Sequence, residues 1–159
     1  LDFIFENKPD RLLEVGSAFD SAVQNAGYVL GSPGKSYCRF LTAKLAKALP
    51  KSTAPGWKYN ESYSFEILIY KSKVFLKCVV SPGEQDFRDK LITALKTVEG
   101  AKSPKGKLWS TVHNHTYRIN IYDEKYDDLA VLQEDIESFL GKERPFIEKV
   151  ESAVLRAFE

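Results

Sequence analysis

Residues 57–98 constrain the fold more than any other part of the chain. Trp57, Tyr59, Tyr63, Phe65, Ile67 and Ile69 fall on alternate positions, with Glu61 the only charge among them. Lys58, Asn60, Ser62, Ser64, Glu66, Leu68 and Tyr70 take the other face. A period of two is the mark of a strand buried on one side. Lys71-Ser72-Lys73 reads as a tight turn. Beyond it Val74, Leu76, Cys78 and Val80 repeat the inward set, and Lys73, Phe75, Lys77 and Val79 point the other way. The β-branched and aromatic content of both runs suits a pleated, half-buried surface. A helix over 82–98 follows at once. Ser81 is placed to cap it, Pro82 to open it and Glu84 to close a capping box, so Ser81→Ala should cost about 1 kcal/mol. Phe87, Leu91, Leu95 and Val98 form its apolar stripe, and Gly100 stops it.

The flanks read as helices and a second hairpin. Pro9 opens a helix with Leu12, Leu13, Val15, Phe19 and Val23 on its apolar face and Gly27 at its end, while residues 1–8 fit a short strand or a helical turn equally well. Ser36 caps a helix running to Leu49, with Phe40, Leu41 and Leu45 inward, and 50–56 is a connector rich in Pro, Ser and Gly. Residues 108–112 and 117–122 form two strands around a turn at His113-Asn114-His115. Asp127 or Asp128 starts a helix broken at Gly141, and Pro145 opens a last one. The order is then ααββαββαα. Strands in hairpins and helices in runs argue for an α+β domain with an antiparallel sheet of about four strands. Leu68, Phe75 and Val79 make the second sheet face apolar enough to expect helices over part of it.

The 159 residues suit one domain, and 43% hydrophobic content is enough for a real core. The chain begins at Leu1 and holds no Met, which fits a fragment of a longer protein or a trimmed terminus. Net charge is +1, so bulk charge argues for no partner and a nucleic-acid reader would need a local basic face. No run approaches the roughly 20 apolar residues of a membrane helix, which argues against a membrane partner. Cys38 and Cys78 fall on apolar faces, as expected of two buried free thiols in a reducing, cytoplasmic compartment.

Three short motifs carry possible chemistry. Gly31-Ser32-Pro33-Gly34-Lys35-Ser36 resembles the end of a phosphate-binding loop, but Val29 stands where the first glycine belongs, and a plain loop with a helix cap explains it. His113 and His115, one residue apart on a strand, would point the same way and suit a metal if Asp123 or Asp127 supplied a third ligand; an exposed turn accounts for both without metal. Glu6-Asn7-Lys8 after Phe3-Ile4-Phe5 has the form of the Glu-x-Lys half of a metal-dependent nuclease site, without the preceding Asp strand. Glu6 and Lys8 therefore define an alternative reading, a small metal-dependent nuclease. A further pattern is basic and aromatic: Lys71, Lys73, Lys77 and Arg118 with Tyr70, Phe75 and Tyr122 fall on one sheet face, a combination that holds single strands by charge and stacking. The ordinary alternative is a solvated edge kept soluble by lysine.

Residues 64–95 carry a resemblance. Phe65-Glu66-Ile67-Leu68-Ile69, the run from Val74 through Ser81-Pro82-Gly83, and the helix with Arg88 and Lys90-Leu91-Ile92 look like the region downstream of the nuclease core in PD-(D/E)XK (restriction-endonuclease-like) bacterial defence proteins. The resemblance implies a non-catalytic accessory domain that assists nucleic-acid binding, with no cofactor of its own and a divalent metal only in an upstream core. Protein interaction or self-association, through a sheet edge or the last helix, is the other reading.

Overall fold

The computed structural model describes residues 8–159, with side chains from Arg11 onward. The expectations for residues 1–7, Glu6 included, lie outside the described residues. The elements are α1 (Lys8–Asn25), β1 (Val29–Leu30), β2 (Tyr37–Leu41), α2 (Ala43–Ala48), β3 (Tyr63–Tyr70), β4 (Lys73–Val80), α3 (Gln85–Lys96), β5 (Ser110–Tyr117), a 3₁₀ turn (Glu124–Asp127) and α4 (Leu129–Ala157). The fold is α+β, and its five strands pair in chain order, each antiparallel to the next.

The central hairpin forms as its alternation predicts. Tyr63 faces Val80, Phe65 faces Cys78 and Ile67 faces Leu76, all buried. Phe40 of β2 stacks on Phe65 at 5.2 Å, and Tyr28 stacks on Phe40 at 4.9 Å, so one aromatic row crosses the inner face. The helices lie on this inner side alone. Phe19 of α1 meets Phe139 of α4 at 6.1 Å, and Tyr117 of β5 meets the same ring at 4.7 Å. Leu45, Leu91, Leu95, Ile136, Ile147 and Val150 complete the cluster. Gly27 ends α1 at φ +92°; its N–H bonds Gln24 O and the Tyr28 N–H bonds Val23 O, the paired closure that a left-handed glycine permits.

Five local expectations are corrected. Residues 37–41 are strand, not helix: Cys38 and Phe40 point in, Tyr37 and Arg39 out, and β3 supplies the ladder. Helix begins only after Thr42, whose Oγ1 accepts from the Leu45 N–H. Residues 57–62 are turn and bridge, and β3 starts at Tyr63. Ser81 is not the cap of α3; it is buried and donates to Glu61 O at 2.7 Å, while Glu84 occupies the cap position without a side-chain bond. The residues expected as a turn between two strands, 113–115, lie inside the single strand β5. Finally, 129–157 is one helix of 29 residues that runs through Gly141 and Pro145. Its packing against α1, α3 and the sheet outweighs the bond that Pro145 cannot donate to Gly141 O.

The expectation that helices cover part of the second face is also corrected. That cover comes from a loop: Trp57 lies 5.4 Å from the Arg39 guanidinium and 5.0 Å from the Trp109 ring. Toward the β3–β4 turn the face stays uncovered.

Candidate nucleic-acid interface

Register across the uncovered face sets out its rows. Tyr37, Leu68, Phe75 and Thr116 stand opposite one another on β2, β3, β4 and β5. Arg39, Glu66, Lys77 and Asn114 form the next row. Tyr70 faces Lys73 at the turn, and Arg118 follows Tyr117, the partner of Val74. Tyr70 is 55% exposed, Tyr37 is exposed, and Phe75 and Leu68 are half-buried. The aromatic rings thus sit among cations. Lys71 Nζ lies 5.1 Å from the Tyr70 ring and Lys77 Nζ 5.7 Å from the Phe75 ring, distances at which an ammonium feels the ring face.

The acid on these strands' outer face is Glu66, and it is spoken for: Arg39 Nε donates to it at 2.8 Å in a largely buried pair. Arg39 also lies 4.6 Å over the Tyr37 ring, which fixes the guanidinium between two aromatics and a carboxylate. Lys77 also stands opposite Glu66 in register, whereas Lys73 faces Tyr70 and Arg118 follows the end of β5.

Register places Tyr70, Lys73, Phe75 and Lys77 on these strands, Lys71 sits against the Tyr70 ring at the turn, and Arg118 and Tyr122 follow the end of β5. Tyr37 and Arg39 also belong to the face, on a strand where the sequence predicts helix over 36–49. Their alternation with Cys38 and Phe40 was the available signal.

The histidines play another part. Both point inward from β5. His113 is buried and its Nε2–H donates to Leu95 O at 2.8 Å. His115 Nδ1 lies 2.9 Å from both oxygens of the buried Glu143, which also accepts from the Tyr117 hydroxyl at 2.6 Å. Phe146 packs against both imidazoles, at 5.1 and 4.2 Å. Asp123 caps the 3₁₀ turn and Asp127 pairs with Arg11, so neither approaches the histidines as a ligand. Among the described residues no group of three or more His, Cys, Asp or Glu is arranged to hold a metal.

The plain-loop reading of residues 31–36 agrees with the structure, except that a strand and not a capped helix follows. Residues 31–36 join β1 to β2, and the loop holds the protein's own carboxylate: Ser32 donates to Glu61 through N–H at 2.8 Å and Oγ–H at 2.6 Å. A Cβ on Gly31 would stand 2.7 Å from that carboxylate, so any larger residue there would have to displace it. Lys8 is the first residue of α1 rather than the end of a strand. Cys38 and Cys78 are free and buried, and burial pushes the Cys78 thiol up to about 12, which leaves it protonated and unreactive. No helix among the described residues is long and apolar enough to cross a membrane. No family model, curated protein or solved structure matches this chain.

Proposed function

We propose that this chain is a non-catalytic α+β domain that binds single-stranded nucleic acid across its uncovered sheet face. One observation carries the reading: helices occupy one side of the sheet only, and the other side interleaves Tyr37, Tyr70 and Phe75 with Lys71, Lys73, Lys77 and Arg118 while its acid, Glu66, is neutralised by Arg39. Such a surface stacks bases on rings and takes phosphates on cations. The resemblance of residues 64–95 supplies the setting, an accessory part of a nuclease-like bacterial defence protein.

The test is a fluorescence-anisotropy titration with short single-stranded and duplex DNA and RNA. Phe75→Ala and Tyr70→Ala should each weaken single-strand binding by about 5- to 150-fold, the worth of one stacked base. Duplex should bind more weakly than single strand. Equal affinity of wild type and both variants for every probe removes the proposal. The competing reading, self-association through the β5 edge, would show instead as a mass that rises with concentration.

A further inference from the structure

The end of the sheet opposite the basic turn holds a second arrangement. A cavity of about 170 Å³ is lined by Lys51, Ser52, Ser62, Gly83, Glu84 and Arg88 among others, at the N-terminus of α3. Three independent features of its wall look for an anion. The first is the helix end: α3 has 12 residues, its cap residue Glu84 makes no side-chain bond, and the first-turn N–H groups face the same end. The second is Ser62, only 6% exposed, whose Oγ has no hydrogen-bond partner although it lines the cavity. The third is Arg88, 4% exposed. Its guanidinium donates Nε to Ser81 O, Nη1 to Lys107 O, and Nη2 to Leu108 O and Ser110 Oγ. All four acceptors are neutral, and one of its five N–H donors remains on Nη1. Among the described residues no carboxylate lies within ion-pair distance of it. Buried charges are ordinarily paired, so a buried cation held only by carbonyls and a hydroxyl favours an added anion.

We propose that this cavity binds a phosphomonoester. A doubly charged phosphate oxygen cluster accepts from the α3 amides, from Ser62 Oγ–H and from Arg88, with the exposed Lys51 closing over it. Next to it, and sharing Pro50, Lys51 and Ser62 in its wall, is a smaller hollow of about 80 Å³ lined by Val29, Leu30, Leu41, Leu49 and Glu61. The phosphomonoester chemistry is common to a free nucleotide and to the phosphorylated end of a strand. The inference stands independently of the sheet-face reading.

Trp109 reports on the site, because a Cβ on Gly56 would lie 3.6 Å from its ring and 3.7 Å from Pro82 in the cavity wall. Tryptophan fluorescence is therefore followed with three probes: adenosine 5′-monophosphate, a short single strand with a 5′-hydroxyl, and the same strand with a 5′-phosphate. The phosphate is expected to tighten the strand about tenfold or more, the worth of one to two charge-assisted bonds. Lys51→Ala should abolish that gain, and Glu84→Gln should tighten binding about two- to fivefold by removing a carboxylate from the mouth. Response to the mononucleotide as well identifies a nucleotide site; response to the phosphorylated strand alone identifies a strand-end site. Both outcomes support the proposal. A 5′-phosphate that changes nothing, or a gain that survives Lys51→Ala and ignores Glu84→Gln, overturns it. Phe75→Ala should leave the 5′-phosphate gain intact, so failure of the sheet face and failure of this cavity are read separately.

Discussion

His113 shows how one buried side chain ties this fold to pH. Its Nε2–H is spent on Leu95 O, so Nδ1 carries the lone pair, and Nδ1 is buried without a partner. Protonation would put a charge there, beside the Phe146 ring and near His115. Burial first, and the neighbouring His115 after it, hold the His113 pKa below its ordinary value, against the opposing pull of Leu95 O. The sign follows. The unfolded chain binds this proton more readily than the folded one, so stability is complete above the unfolded pKa near 6.5 and is lost as pH falls toward the folded pKa. Each pH unit by which the folded pKa lies lower is worth about 1.4 kcal/mol. Urea unfolding of the wild type should weaken between about pH 7.5 and pH 5 more than that of His113→Gln, which keeps a donor and does not titrate. Equal losses in the two chains would show that His113 is not the sensitive group.

At the scale of elements, the local pattern was decisive where it agreed with the partners an element finds. The alternation over 63–80 is complete on both strands, and β3 and β4 formed as read. Elsewhere short stretches were ambiguous. Residues 37–41 contain Phe40 and Leu41 in spacing that also suits a helix, and only pairing to β3 selects strand. His113-Asn114-His115 looked like a turn because its residues are polar, yet two of them satisfy their polarity inside, on Leu95 O and Glu143. No sequence signal reveals a carboxylate waiting 28 positions away. The candidate face suffered in proportion: its β3–β4 part was legible from alternation, whereas Tyr37 and Arg39 depended on recognising β2. Gly141 and Pro145 misled for a different reason. Both disfavour helix locally, but Phe139, Leu140, Ile147 and Val150 bury the stretch on both sides of them, and tertiary burial prevails over propensity. Nothing lies within 4 Å of a Cβ built on Gly141, so Gly141→Ala removes only the conformational cost of a helix-interior glycine. Urea unfolding should show a gain of about 0.5–1 kcal/mol. No gain, or a loss, would mean that the helix needs a yielding point there.

Across the whole molecule, a net charge of +1 conceals a separation of sign. Residues 123–151, which include most of α4 on the helical side, hold ten carboxylates against four Lys and Arg. The uncovered sheet face and its turn hold Lys71, Lys73, Lys77 and Arg118, with Arg39 and Glu66 cancelling each other. Net composition therefore does not register the local grouping of cations on which the proposed binding rests. The number of available cations sets a quantitative expectation. Single strands lose affinity with a log–log salt slope of about −0.7 per phosphate contacted, so four contacts give a slope near −3 and a loss of about 50-fold between 50 and 200 mM salt. Lys73→Ala should flatten the slope by about 0.7 while leaving stacking on Phe75 in place. Phe75→Ala should do the reverse, lowering affinity at every salt concentration without changing the slope. A wild-type slope near zero would mean that these lysines only keep an open sheet in solution, their usual task on exposed strands.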